Sequence, residues 1–275
     1  MPKIKHNIYI MQILDQSIFG KLKQSNPDSH KGQNGRLLVI AGSAKFHGAL
    51  LLSLETASRI VDMVYVHSTI DNLKLIKKLR SEISTFIAIS RKKLFETIEI
   101  VDSILIGPGL SESSDTIALV HDILHKYPNK KTIIDATALW HVKPSCLHSN
   151  CILTPHSREF TNVFECEATA ENVEKMAQKY HCTIVLTGKY DYISNGEELW
   201  ENRTGHVGMT KGGTGDVLSS AIAGLSATND LFTATLASTY LVGLVGEKLA
   251  KEKGTFYNAE DLINSFGGIW GEFLK

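Results

Sequence analysis

"RLLVIAGSAKFHGALLLSLETASRI", residues 36–60, sets a continuous apolar run ahead of a glycine turn, followed by apolar residues at helical spacing. A strand without polar alternation is covered on both faces, as parallel strands between helices are. The same unit recurs. "DMVYVHS" (62–68) precedes "NLKLIKKLRSEI" (72–83), and "DSILIGPGL" (102–110) precedes "SSDTIALVHDILHKY" (113–127). "TIIDATAL" (132–139), "CILTPH" (151–156) and "CTIVLTG" (182–188) add three more apolar runs, with "ATAENVEKMAQKY" (168–180) as a helix between the last two. "YDYISNGEELWEN" (190–202) reads instead as a hairpin turning at Asn195-Gly196, and two or three helices finish the chain. The expected fold is α/β: one doubly wound, mostly parallel sheet with helices on both faces, spanning residues 1–275 as a single domain.

The 275 residues suffice for one large core, and no repeat or linker marks a boundary. Lys plus Arg and Asp plus Glu are both 29, which gives no support for a nucleic-acid or acidic partner. No apolar stretch approaches the ~20 residues of a membrane span. The N-terminus shows no signal-peptide pattern, so the expected location is cytoplasmic. Cys146, Cys151, Cys166 and Cys182 form no metal-like spacing and are expected as buried reduced thiols.

In a doubly wound sheet, ligands gather beyond the carboxyl ends of the strands. Gly42-Ser43, Gly107-Pro108-Gly109, Asp135, Thr154-Pro155-His156 and Thr187-Gly188 all fall there. The strongest stretch is "MTKGGTGDVLSSAIAGL" (209–225), in which glycines precede a helix starting near Thr214. The free N–H groups at such a helix start suit phosphate, although no Walker A sequence occurs. Asp216 stands in the first turn. A carboxylate there meets the helix dipole favourably, but beside bound phosphate it repels. A general base acting on a hydroxyl that attacks the phosphate must stand in that place.

With those residues in view, the chain resembles the ribokinase-like superfamily and, more closely, the ADP/ATP-dependent NAD(P)H-hydrate dehydratases. The resemblance rests on "NGRLLVIAGSAKFHGALLLSLETASR" (34–59), "IGPGL" (106–110), "IIDATAL" (133–139), "ILTPHSREF" (152–160), "VLTGKYDYIS" (185–194) and "NRTGHVGMTKGGTGDVLSSAIAGL" (202–225), in that order. It implies that the enzyme phosphorylates the ring hydroxyl of a hydrated nicotinamide cofactor with ADP or ATP, and that phosphate loss restores NAD(P)H. It places Ala49, Gly109 and His156 beside the hydrate, with Asp216 as the base at the transferred phosphate. Thr187, Gly188, Lys189, Tyr190, Asp191, Gly213, Thr214 and Gly215 are placed beside the nucleotide. Mg²⁺ is the implied cofactor, a homotetramer the implied assembly, and the S-epimer of the hydrate the implied substrate. Only about thirty residues precede the matching region, so a partner epimerase is expected as a separate protein. The chain departs from the family at Thr137 and Trp140, where Asp and Asn are usual, and at Thr187, where Lys is usual. His206 replaces Asn, and Ser157-Arg158 replaces Pro-Gly. Lys189 or Lys211 is expected to supply the cation that Thr187 lacks.

Other residues keep two readings. Asp135 either caps the following helix or contacts Mg²⁺ at the phosphates. His156 either caps a helix or meets the ligand. His121 and His125, four apart, fit a solvated helix face better than a metal site. The stripe "NLKLIKKLR" (72–80) fits an exposed face with its leucines inward, while Trp200 and Trp270 fit core or subunit contacts. "NRT" (202–204) matches a glycosylation sequon, which has no meaning without secretion. Two further functions stay open: a kinase of a small alcohol or vitamin precursor, and a nucleotide-binding pseudoenzyme acting as a sensor.

Overall fold

The computed structural model describes residues 11–78 and 85–273. The first units are β1 (Gln12–Ile13), β2 (Arg36–Ile40), α1 (His47–Ser58), β3 (Met63–His67), α2 (Ile70–Lys78) and β4 (Phe86–Ala88). Then come α3 (Leu94–Ile100), β5 (Ser103–Ile106), α4 (Ser114–Lys126), β6 (Lys131–Ile134) and α5 (Thr137–His141). β7 (Cys151–Leu153), α6 (Ser157–Phe164), α7 (Ala170–Tyr180) and β8 (Thr183–Leu186) follow. The hairpin β9 (Asp191–Ser194) and β10 (Leu199–Asn202) precedes the helices α8 (Thr214–Ser226), α9 (Leu231–Lys253) and α10 (Ala259–Phe273). The part of the expected second helix at 79–84 lies outside the described residues.

The described strands form one ten-stranded sheet in the order β1-β10-β9-β8-β7-β6-β5-β2-β3-β4. β8, β9 and β10 run antiparallel to their neighbours in the hairpin, and every other described pair is parallel. The apolar runs explain the layering. Along β2, Leu37 and Val39 enter the core on one face, and Leu38 and Ile40 enter the core on the other. The first face carries α1, α2, α8, α9 and α10, through residues such as Leu54, Ile76, Val217, Val245 and Leu262. The second carries α3 to α7 through Ile98, Ile123, Leu139, Phe160 and Val173. Each such buried side chain contributes ~1.5–3 kcal/mol.

Two consequences position the site. From Val217 to Ser226 every residue of α8 is buried, so the helix that carries Asp216 is gripped all round. Also, β2 continues into α1 over one face while β5, its neighbour, continues into α4 over the other. The loops diverge between β5 and β2, and a crevice opens there, at the point where such sheets hold ligands.

The thiols differ from expectation. Cys151 and Cys182 are buried, whereas Cys146 and Cys166 are half-buried, and all four are free. Trp200 and Trp270 are half-buried against the first core. Among the described residues, no helix is long and apolar enough to cross a membrane.

Candidate functional site

Helix α8 begins as the glycines predict. Gly213 is its N-cap at φ 96°, a left-handed conformation that glycine adopts freely. A Cβ on Gly213 would fall 2.4 Å from Leu52 Cδ1, so the turn is pressed onto α1 one helical turn from Ala49. A Cβ on Gly215 would meet nothing within 4 Å, which leaves the N-terminal N–H groups approachable. Thr214 Oγ1 donates to the carbonyl of Met209 at 2.8 Å and thereby closes the loop.

Asp216 follows in the first turn. Burial, and secondarily the charge of Asp135, push its carboxyl up to about 7. Asp135 reaches it from the end of β6. Thr154 Oγ1 donates to the Asp135 carboxylate at 2.8 Å, and the Ser219 hydroxyl and the Ala136 N–H nearby favour its charged form. At 6% exposure, desolvation outweighs these donors, and its pKa too is raised. Asp135 does not cap the following helix: α5 starts from Ala136, at φ 47° and ψ −123°, and makes no side-chain cap. A non-glycine residue in that region stores backbone strain.

Ala49 and Gly109 meet. Gly109 has φ 60°, and a Cβ placed on it would lie 2.8 Å from Ala49 Cβ and 2.9 Å from the Phe46 carbonyl. Both residues are thus kept small by a shared wall. Thr137 Oγ1 donates to Leu110 O at 2.9 Å and ties α5 to the same turn.

His156 does act as a cap. Its Nδ1 accepts from the N–H groups of Arg158 (3.1 Å) and Glu159 (3.2 Å), while Glu159 Oε2 accepts from the His156 N–H at 3.0 Å. This reciprocal pair is a capping box. Burial, with Arg158 contributing, lowers the His156 pKa, so the ring is neutral near pH 7 and carries its proton on Nε2. Nε2 lies 3.5 Å from Glu159 Oε2. Burial lifts the Glu159 carboxyl to about 7. Trp140, 42% exposed, sets its ring edge-on to His156 at 6.5 Å.

A parallel bridge joins His156 to Thr187, which brings the 187–191 turn alongside. Asp191 shapes that turn: its carboxylate accepts from Gly188 N at 3.1 Å and from Asn202 Nδ2 at 3.0 Å. Burial raises its pKa to about 6. Asn202 is fully buried in this role, so the sequon match is a structural asparagine. Lys189 and Tyr190 stand at the exposed tip, the ammonium 5.3 Å from the ring centroid. Lys211 is engaged elsewhere, donating to the carbonyls of Thr255 and Tyr257. It braces the turn before α10 and is not a free cation beside the glycines. His206 Nδ1 accepts from Gly208 N at 3.1 Å and caps a short 3₁₀ turn.

The structure therefore brings Ala49 to Gly109, Asp135 to Asp216, and His156 to Thr187. Glu159 and Ser219 support them without having been singled out in the sequence, and Asn202 had been read only as a sequon. Only Glu159 carried a local signal, three residues after His156, although His is an unusual cap. His121 Nε2 pairs with the His141 carbonyl at 3.1 Å, and His125 is exposed on the same helix.

A family model described as NAD(P)H-hydrate dehydratase matches residues 37–266. The bifunctional NAD(P)H-hydrate repair enzyme Nnr of Methanocaldococcus jannaschii is 36% identical over 260 residues, covering 90% of this chain and 50% of its own. The chain thus spans about half the length of that relative and of others like it. The ADP-dependent (S)-NAD(P)H-hydrate dehydratase of Cenarchaeum symbiosum is 33% identical over 263 residues, covering 90% of this chain and 92% of its own. Among solved structures, an ADP/ATP-dependent NAD(P)H-hydrate dehydratase of Bacillus subtilis, co-crystallised with ATP/Mg²⁺, superposes with a TM-score of 0.82 at 27% identity, covering 96% of this chain and 99% of that chain. A ribokinase-like superfamily protein of Enterococcus faecalis, at TM-score 0.87 and 24% identity over 97% of this chain and 98% of its own, has the same fold.

Proposed function

The chain belongs to the NAD(P)H-hydrate dehydratase family, and from that premise we propose that it repairs the S-epimer of hydrated NAD(P)H at the expense of ADP or ATP. The observation that carries the reading is Asp216, a carboxyl lifted to about 7 at an open helix N-terminus. A base of that strength accepts the proton of the ring hydroxyl near neutral pH as the hydroxyl oxygen attacks the terminal phosphorus of the nucleotide. The N–H groups at the start of α8 take up charge on the transferred phosphoryl group. Phosphate then leaves with the C–O electron pair, and the adjacent ring carbon gives up a proton to solvent, so that the ring double bond is restored.

The nicotinamide end lies against the Ala49–Gly109 wall, where no larger side chain leaves room. His156 Nε2–H, not consumed by the cap, donates to the carboxamide or the diphosphate. The 187–191 turn, held by Asp191 and Asn202, faces the nucleotide with Lys189 as its cation. Asp191 shapes the turn from within.

Mg²⁺ accompanies ATP in the Bacillus subtilis crystals. Asp135 does not fit as its direct ligand, because its carboxylate is buried and already accepts from Thr154. Its part is to raise the basicity of Asp216. Among the described residues, no group of three or more His, Cys, Asp or Glu side chains forms a metal cage. The epimerase activity that the damaged cofactor's other epimer requires would come from a separate partner, and residues 1–275 form one catalytic unit.

Replacing Asp216 by Asn tests the assignment. Turnover should fall by ~10²–10⁴, the usual worth of a general base, while the nucleotide Kd is retained. Near-normal turnover would remove Asp216 from the chemistry.

A further inference from the structure

Beyond the Ala49–Gly109 wall, the diverging loops after β2, β3 and β5 enclose a second cavity of about 480 Å³. It extends from the crevice between β5 and β2 across to the end of β3. Gly42 and Leu110 line it, and Gly42 N donates to Pro108 O at 2.7 Å, so the turn that carries Gly109 forms a wall of both spaces. Asp135 stands at the end of β6, Gly109 after β5, and Ser68 after β3. With β2 lying between β5 and β3, the row from Asp135 to the cavity covers three strand spacings, ~14 Å. That is the reach of an extended dinucleotide whose ring end sits at Asp216.

The lining matches one half of such a molecule. Ile40 and Leu119 give an apolar base, Ser68 and Ser111 bring hydroxyls, Arg91 a guanidinium and Asp115 a carboxylate. A purine suits the apolar base, and a carboxylate accepts from vicinal ribose hydroxyls. A guanidinium pairs with a phosphate oxygen or stacks on a base. His67, also in the lining, has its pKa lowered by burial and by Arg91, so it adds no second positive charge. One cation balanced by one carboxylate suits a nucleoside joined through a diphosphate better than a free polyphosphate chain.

We propose that this cavity holds the adenosine half of the hydrated dinucleotide, with Asp115 on the ribose hydroxyls and Arg91 on the phosphate side. The inference rests on the repair reaction proposed above. Ser111 and Asp115 are exposed, so changing them leaves the core intact. Ser111→Trp would fill the mouth of the cavity and Asp115→Ala would remove the ribose acceptor. The two variants and the wild type are compared on NADH hydrate and on the hydrate of reduced nicotinamide mononucleotide, which lacks adenosine. Each variant should raise the KM for NADH hydrate about tenfold or more, the worth of one charged hydrogen bond. The KM values for the mononucleotide hydrate and for ADP should not move. Unchanged KM for NADH hydrate, or an equal rise for the mononucleotide, overturns the assignment of the cavity while the repair reaction stands. A wild-type protein that repairs neither hydrate overturns the reaction and the cavity assignment together.

Discussion

Asp216→Asn should make the protein more stable at alkaline pH while disabling it. The Asp216 carboxyl moves from 3.8 to about 7 in the fold, chiefly through burial. At about 1.4 kcal/mol for each pH unit of linkage, keeping it ionised costs the folded state at most ~4 kcal/mol above pH 7. Water at the half-buried carboxylate and the favourable dipole of α8 return part of this, so a gain of ~1–2 kcal/mol is expected on neutralisation. For a chain of this size that is a rise in Tm of roughly 2–6 °C. Because the folded-state pKa is raised, the wild type holds its full stability below the unfolded value near 4. It loses that share as the pH climbs through 7. The advantage of the Asn variant should therefore be largest at pH ~8 and fade toward pH ~4. Denaturant melts of the two proteins at both pH values measure it. A variant less stable than wild type at pH 8, or a difference indifferent to pH, would show that Asp216 is an ordinary helix-start carboxylate and would refute the burial argument.

Ala49→Leu should fold normally and retain the nucleotide KM while losing repair of the hydrate, because its side chain would extend into the space that Gly109, lacking a Cβ, leaves open beside Ala49. Unfolding, as ~1–3 kcal/mol of core overpacking could produce, or undiminished repair would show that Ala49 is not a pocket wall. Lys189→Ala should raise the nucleotide KM by roughly fivefold, the worth of an exposed charge, whereas Lys211→Ala should lower Tm and leave that KM alone. The reverse pattern in steady-state kinetics and thermal melts would return the phosphate contact to Lys211.

Which features were legible in the sequence follows from the range of the forces behind them. The six apolar runs became parallel strands because a two-sided burial requirement writes itself into consecutive residues. The hairpin at Asn195-Gly196 and the start of α8 at Thr214 rest on local backbone chemistry, and both appear in the structure. β1 has only two residues and β4 only three, too few to show a pattern, so the sheet is wider at both edges than the sequence suggested. The site was harder. Glycine and carboxylate positions after the strands could be seen, but the charge of Asp135 on Asp216 acts between residues far apart in the chain. Lys211 looked free beside the glycines, and only the tertiary fold supplies the Thr255 and Tyr257 carbonyls that bind it. Asn202 read as an idle sequon, since its partner Asp191 lies across the hairpin.

The central claim is that phosphoryl transfer to the hydrate ends in a restored cofactor. Purified protein incubated with NADH hydrate and either ADP or ATP, followed by dihydronicotinamide absorbance and by released phosphate, tests it most directly. The account predicts that absorbance returns only with nucleotide present, one phosphate appearing for each NADH regained. Nucleotide consumption with a stable phosphorylated product and no absorbance would mark a small-alcohol kinase. No consumption of either compound would mark a nucleotide sensor, and both results contradict the account.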